Sequence, residues 1–318
     1  MHIIRGLLNL RPQHRGCVAT IGNFDGVHLG HQAIIRRLRT LGEQLALPTL
    51  LITFEPYPQE FFAGEQALPR LTRLREKMDR LSRTGLDRVL CLRFNPALAQ
   101  MEAEDFVRRI LLEGVGVRHL VVGDDFRFGR QRRGDFAMLA RLGRAHGFTV
   151  ERTPTFEIDG RRVSSTWVRE ALTARDMDLA ARLLGRPYAI GGRVAHGDKR
   201  GRQLGFPTAN IHLRRKAVPV SGVFAVTLEG VARQPLPGVA NVGSRPTVDG
   251  VRSLLEVHLF DFDREIYRRH VQVNFLHSIR AERKFDNLDA LKQQIARDCA
   301  AARAYFAEPT TTEERQRP

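Results

Sequence analysis

The chain has 318 residues, of which 42% are hydrophobic and 27% charged, with a mass of 36.0 kDa. That length gives room for about two domains, and the composition suggests neither a disordered chain nor a membrane protein. No run reaches the roughly 18–20 apolar residues a membrane helix needs. The opening MHIIRGLLNLRP lacks the long apolar core and cleavage site of a secretory signal. Cys17, Cys91 and Cys299 are scattered and odd in number, so neither a disulfide framework nor a paired metal site is expected. These features predict a soluble cytoplasmic protein. The formal net charge is +16, spread as +8 on each side of residue 185, and only five of the basic residues are Lys. Such an excess suits polyanionic ligands. Without zinc-finger spacing, a helix-turn-helix signal or an aromatic–basic repeat, phosphorylated small molecules are expected rather than nucleic acid.

The first half alternates strand and helix patterns. A strand is predicted over Cys17–Ile21, and a helix from His31 to Leu45 with apolar residues three and four apart. A strand over Thr49–Phe54 ends in a turn at Pro56 and Pro58. A helix over Leu74–Leu81, a strand over Arg88–Leu92, a helix over Ala103–Leu112 and a strand over His119–Val122 follow. The series continues with a helix over Asp135–His146, a strand over Thr149–Arg152 and a mostly helical stretch over Ser165–Leu184. This βα order predicts an α/β domain with a parallel sheet covered on both faces, binding ligands at the carboxyl ends of its strands. After Arg186-Pro187 the pattern becomes short β runs separated by Gly and Pro: Ala189–Ile190, Val223–Leu228, Val239–Val242, Leu254–Phe260 and His270–Phe275. These predict an antiparallel sheet closed into a small barrel, with one terminal helix over Leu288–Tyr305. The domains are thus residues 1–185 and 186–308, with a frayed tail over 309–318.

Three stretches of the first domain carry chemistry. Gly22-Asn23-Phe24-Asp25-Gly26-Val27-His28-Leu29-Gly30-His31 lies between a strand and a helix. Its glycines allow close backbone approach. Helix N-terminal amides can receive phosphate, and the imidazoles of His28 and His31 can donate to it. A metal reading is weaker, because no third ligand lies nearby. Val163-Ser164-Ser165-Thr166-Trp167-Val168-Arg169 places three hydroxyls at a helix start. These are either an N-cap or phosphate donors joined by Arg169, whose fork of N–H groups suits phosphate. Gly123-Asp124-Asp125-Phe126-Arg127-Phe128-Gly129 follows a strand. Its carboxylates can orient a polar ligand or a Mg²⁺-bound phosphate, or form no more than an acidic turn.

In the second domain, the stretch from Gly192 to Asn210, GRVAHGDKRGRQLGFPTAN, is glycine-rich and basic but lacks a Walker motif. Its accessible amides could form anion nests, and Thr208 and Asn210 offer neutral oxygens to a cation-bound phosphate. The alternative is an irregular barrel loop. In Leu254-Leu255-Glu256-Val257-His258-Leu259-Phe260, Glu256, His258 and Phe260 share one face of an alternating strand. There Glu256 could accept a substrate hydroxyl proton, or simply be an exposed carboxylate near His258.

These segments resemble the bacterial bifunctional riboflavin kinase/FMN adenylyltransferases (FAD synthetases) over residues 10 to 306. GNFDGVHLGHQ, VVGDDFRFG and VSSTWVREAL match the adenylyltransferase module. GRVAHGDKRGRQLGFPTANI, PVSGVFAV, GVANVGSRPTV and LEVHLFDFDREIY match the kinase module. The resemblance implies a Rossmann-like nucleotidyltransferase domain followed by a riboflavin kinase barrel, with Mg²⁺-ATP, riboflavin and FMN as ligands and FMN and FAD as products. His28, His31 and Arg169 would be catalytic in adenylylation, with Gly22, Asn23, Phe24, Asp25, Gly30, Ser165 and Thr166 binding ATP. Phe54, Asp125 and Phe126 would take the flavin side. In the kinase, Gly192, Gly197, Gly205, Pro207, Thr208 and Asn210 would bind ATP, Thr208 and Asn210 would also meet the metal, and Glu256 would be the base. Arg283 and Phe285 would lie near the flavin, and Asn241 and Arg245 in a nearby loop. Arg268 stands where the family usually has glycine. One working module beside a degenerate one, or a basic RNA-binding protein, are the alternative readings.

Overall fold

The structure is a computed structural model that describes residues 1–196, 205–213, 215, 217–247 and 250–308, the side chains of 244–247 and 250–252 excepted. Its first compact unit comprises Met1–Leu68 and Thr72–Ser165, and its second Pro69–Leu71 with Thr166 onward. In the first unit, β1 (His2–Arg5), β2 (Cys17–Ile21), β3 (Thr49–Glu55), β4 (Arg88–Arg93), β5 (Val117–Val122) and β6 (Thr149–Arg152) form one sheet in the order β1-β4-β3-β2-β5-β6. Every pairing is parallel. The crossovers carry α1 (Leu29–Leu45), α2 (Pro58–Ala63), α3 (Leu74–Ser82), α4 (Pro96–Ala99), α5 (Ala103–Phe106), which runs on as a π-helical stretch over Val107–Gly114, and α6 (Phe136–His146). A two-stranded ribbon, β7 (Glu157–Ile158) with β8 (Arg161–Arg162), completes the unit.

The nearly unbroken apolar strands are explained by burial on both faces. Cys17, Ala19 and Ile21 of β2 join Leu50, Leu90, Phe106 and Leu139 in one core. Val18, from the same strand, joins Leu38, Leu51, Leu81 and Val89 in the other. Helix ends follow local chemistry: Asn95 and Asp135 cap α4 and α6 through bonds from Leu98 N and Met138 N. Ala46 takes the left-handed conformation after α1. Because β2 leads to β3 on one side while β5 lies on its other side, the sheet reverses between β2 and β5. That switch point is where an open α/β sheet offers a crevice.

In the second unit, α7 (Ser165–Thr173) begins at the division, and α8 (Met177–Leu184) packs on the barrel strands β9 (Tyr188–Ala195) and β14 (His270–Arg280). Between these run β10 (Ala209–His212), β11 (Gly222–Glu229), β12 (Leu236–Thr247) and β13 (Gly250–Leu259). They close antiparallel in the order β10-β13-β12-β11-β14-β9, with β9 returning to β10. Phe224, Val226 and Leu228 of β11 are fully buried, as are Leu255 and Val257 of β13 and Val273 of β14. Val223 and Ala225, on the alternate face of β11, pack instead against Cys299 and Ala302 of the terminal helix α9 (Leu288–Ala307). The strands follow one another round a closed barrel, the arrangement the sequence pattern leads one to expect. The barrel strands run longer than their apolar runs, and β10 begins inside the glycine-rich stretch.

Candidate active sites

At the carboxyl end of β2 the chain turns through Gly22–His28 into α1. Phe24 and Val27 take left-handed φ values of 50° and 46°, a conformation that costs a non-glycine residue energy. Both are 2% exposed, so burial of their side chains offsets it. The loop is also bonded from below. Thr72 donates to Asp25 Oδ1 through its backbone N and its Oγ1, at 2.9 and 3.0 Å, and Tyr57 donates to the same oxygen at 3.3 Å. Gly26 N donates to Thr72 Oγ1 at 3.0 Å, and Ser165 Oγ to the Asp25 carbonyl at 2.9 Å. The buried Asp25 carboxylate therefore braces the loop. Lys77 of α3 is fully buried. Its Nζ donates to the Asn23 carbonyl and to Thr53 Oγ1, both at 2.9 Å, and lies 4.5 Å from the Tyr57 ring centre.

His28 caps α1, its Nδ1 accepting from His31 N at 3.3 Å. The two imidazoles stack with centres 3.6 Å apart, and Phe24 stacks on His31 at 4.6 Å. Burial holds the His31 pKa well below its ordinary value, and the positive charges of His28, Lys77 and Arg162 act in the same direction. His31 Nδ1 is covered and makes no hydrogen bond among the described residues. A Cβ on Gly30 would lie 3.2 Å from the His28 ring and from the Val163 carbonyl, a tight contact that glycine avoids. The arrangement joins a helix N-terminus, two imidazoles and nearby buried charge, a setting fit for phosphate.

These residues line one side of a cavity of about 960 Å³. Phe54, Phe62, Phe94 and Phe126 line it too. Phe94 meets Phe54 edge-on at 5.9 Å, and Phe126 stacks on Phe128 at 5.6 Å. Phe62 is 69% exposed, an apolar ring facing solvent at an aromatic opening. At the end of β5, Arg162 donates to Asp125 at 2.9 Å and reaches Asp124 at 3.3 Å. A bond from Thr155 at 2.6 Å, and secondarily the Arg162 charge, hold the Asp124 carboxyl below the usual range. The structure thus gathers Gly22, Asn23, Phe24, Asp25, His28, Gly30, His31, Phe54, Asp125, Phe126 and Ser165 around one cavity. Thr166 and Arg169 belong to the second unit, where Arg169 Nε donates to the Pro69 carbonyl at 2.7 Å. Sequence reasoning missed Lys77, Thr72 and Arg162, which sit far along the chain in unremarkable contexts. The Phe61-Phe62 pair of α2 is the local signal that points to this opening.

In the barrel, Asn210 of β10 stands directly opposite Glu256 of β13, and Asn241 of β12 stands opposite Glu256 from the other side. Directly paired residues share a face, so the three form a polar row across adjacent strands, on the face opposite the buried Leu255 and Val257. Thr208 lies two residues before Asn210. His258 Nδ1 lies 2.8 Å from the Pro207 carbonyl. Gly205 has a φ of 89°, open to glycine and strained for other residues. At Gly192 a Cβ would collide with Ile211 Cγ2, so that glycine lets β9 and β10 close. Gly197 lies outside the described residues. Asn241 and Arg245, expected in a loop, are on β12. Arg283 Nη2 donates to Gln294 of α9 at 2.6 Å, and its guanidinium lies 4.6 Å from the Phe285 ring centre, so these two residues are adjacent. Arg280 grips Asp298 of α9 with two nitrogens, at 2.9 and 2.8 Å, and Gln294 Nε2 donates to the same carboxylate at 2.8 Å.

Residues 10–167 match the FAD synthetase family model and residues 184–306 the riboflavin kinase family model. The chain is 54% identical over 308 residues to the bifunctional riboflavin kinase/FMN adenylyltransferase of Pseudomonas fluorescens, covering 96% of this chain and 98% of that one. It is 51% identical over 307 residues to the Escherichia coli K12 protein of the same description, again covering 96% and 98%. Among solved structures, a Streptococcus pneumoniae chain described as a macrolide-efflux protein superposes with a TM-score of 0.81 at 30% identity, over 95% of this chain and 99% of that one. No helix among the described residues is long and apolar enough to cross a membrane. With both family models met in sequence and full-length relatives at this identity, the chain belongs to the bifunctional riboflavin kinase/FMN adenylyltransferase family.

Proposed function

We propose that this chain converts riboflavin to FAD in two ATP-dependent steps, the second domain (186–308) acting as riboflavin kinase and the first (1–185) as FMN adenylyltransferase. In the kinase step the ribityl 5′-hydroxyl attacks the γ-phosphorus of ATP. Glu256 accepts the hydroxyl proton, and ADP leaves. Such transfer rests on positioning and on charge stabilisation. Thr208 and Asn210 are neutral oxygen donors, with Glu256 opposite Asn210 and no cluster of metal-ligating side chains among the described residues. That set fits Mg²⁺ arriving on ATP phosphates and keeping several waters, where it would offset the phosphate charge. Gly205, Pro207 and, by position, Gly192 and Gly197 shape the ATP side, with Arg283 and Phe285 on the flavin side.

In the second step an FMN phosphate oxygen attacks the α-phosphorus of ATP and pyrophosphate leaves. No covalent nucleophile is required. The protein has to align two anions and stabilise charge on the phosphoryl oxygens. His28, His31 and the amides opening α1 take the phosphates, helped by Ser165. Gly22, Asn23, Phe24, Asp25 and Gly30 shape the loop around ATP. Phe54, Asp125 and Phe126 meet the flavin. An arriving polyphosphate would raise the depressed His31 pKa and favour its protonated, donating form. The compartment is the cytoplasm, where ATP supplies both steps.

The observation that carries this division of labour is that the His28–His31 stack and the Asn210–Glu256–Asn241 row lie in different compact units. Incubation with riboflavin, ATP and Mg²⁺, followed by chromatographic separation of the flavins, tests it. FMN should form first and FAD afterwards. If riboflavin is consumed without FMN appearing at any time, the two-step reading is wrong.

A further inference from the structure

His258 shares the outer face of β13 with Glu256, two residues away. The ladder between β10 and β13 runs from Ile211 opposite Leu255, through Asn210 opposite Glu256, to Ala209 opposite Val257, and stops there. The next pair in register would be Thr208 with His258. Proline at 207 has no N–H to extend the ladder, yet its carbonyl still needs a donor. His258 supplies one from its side chain, with Nδ1 2.8 Å from Pro207 O. A carbonyl only accepts, so the ring holds its proton on Nδ1.

The same ring is packed on two sides. Phe206 meets it edge-on at 5.6 Å, and Phe260 at 6.0 Å. Both phenylalanines belong to the apolar cluster formed with Val223, Val239 and Ala302 beneath α9. The Phe206-Pro207-Thr208 segment is thus held at three points: Phe206 in that cluster, Pro207 on His258, and Ala209 on β13. Thr208 lies between the second and third of these.

We propose that His258 is a positioning residue of the kinase site, its Nδ1–H latching the Pro207 carbonyl so that Thr208 is held in register with Asn210 and Glu256. The inference rests on the kinase reading of the barrel and adds to it the group that fixes the ATP-side threonine. His258 touches neither phosphate nor hydroxyl in this assignment. Its effect passes through the backbone of Pro207, and small misplacements of a positioning group are costly in transfer reactions.

Three variants test it in the full-length enzyme. His258→Leu removes the donor while keeping an apolar body. His258→Asn keeps an N–H near the position of Nδ1, and His258→Gln moves it one bond outward. KM for ATP in FMN formation should rise about five- to tenfold in the Leu and Gln variants, the scale of one lost hydrogen bond of ordinary net strength. It should return to within about twofold of wild type in the Asn variant. KM for riboflavin, and the rate of FAD formation from supplied FMN, should be unchanged in all three. Equal ATP parameters in the Gln and Asn variants would overturn the latch. So would ATP and riboflavin KM rising together with a common loss of thermal stability, which marks a merely structural histidine. A wild-type enzyme that makes FAD from FMN but no FMN from riboflavin would overturn the kinase reading itself, and His258's role with it.

Discussion

Replacing Asp298 by Ala removes the carboxylate that ties α9 to β14. Asp298 is 5% exposed at its side chain and Arg280 20%, and two guanidinium nitrogens reach it, at 2.9 and 2.8 Å. Taking one partner from a buried pair costs about 3–5 kcal/mol, because the remaining charge stays desolvated. Arg280 keeps a bond from Nη1 to the Ala281 carbonyl at 3.0 Å, and some solvent, so about 2–3 kcal/mol is the appropriate figure here. In a domain of about 150 residues that lowers Tm by roughly 6–10 °C. The loss should reach the site as well. Gln294, bonded to Asp298, also accepts from Arg283, and Arg280 and Arg283 both lie over Phe285, at 5.6 and 4.6 Å. Calorimetry of the variant, with riboflavin KM measured alongside, is the assay. FAD formation from supplied FMN should be unchanged below the new melting point. The double variant Arg280→Met/Asp298→Ala should regain most of the lost stability, since a buried pair exchanged for apolar groups is often neutral. A melting-point change below about 2 °C in Asp298→Ala would refute the reasoning, as would a double variant no more stable than the single one.

Other expectations concern the first unit. His31 has a folded pKa below its usual 6.5, so as pH falls below about 6.5 the unfolded chain takes up a proton that the folded chain refuses. Its contribution is therefore full above about pH 6.5 and is lost at up to about 1.4 kcal/mol per pH unit below it, down to the folded pKa. His31→Gln should flatten this slope in urea midpoints measured from pH 7 to pH 5, and an unchanged slope would contradict the assigned shift. Thr72→Val leaves Gly26 N and Asp25 each short of a bond, and should cost about 1–3 kcal/mol and slow FAD formation while FMN formation continues. A variant equal to wild type in both stability and rate would remove the brace from the account. Phe62→Ala should leave stability within about 0.5 kcal/mol and raise KM for FMN in adenylylation roughly three- to tenfold through lost stacking. An unchanged KM would place the flavin elsewhere.

Much of this architecture can be read from pattern. Continuous apolar strands separated by helical periodicity lead to a parallel sheet, and short runs between Gly and Pro lead to a closed antiparallel barrel. Strand β1 escapes such reading because His2–Arg5 is an edge segment with a single buried residue, Ile4. Strand β10 escapes because it begins inside a stretch whose glycines and charges read as loop. At the sites, His28, His31, Asn210 and Glu256 stand out as polar residues in distinctive local settings. Asp25 also stands out, but only the structure turns its carboxylate inward, onto Thr72 and Tyr57. Lys77 is the instructive omission. On the periodic face of α3 it reads as a solvated charge, and its burial follows from bonds to Asn23 and Thr53, partners 54 and 24 residues away that no local window joins.

The central claim is that one chain carries two chemically separate ATP sites, and paired variants address it most directly. His28→Ala and Glu256→Gln are each assayed for FMN formed from riboflavin and for FAD formed from supplied FMN, with folding checked by calorimetry. Glu256→Gln should lose at least about a hundredfold in FMN formation, the scale of a removed general base, and keep FAD formation from FMN. His28→Ala should show the reverse. A folded variant that loses both reactions together, or neither, would contradict the account.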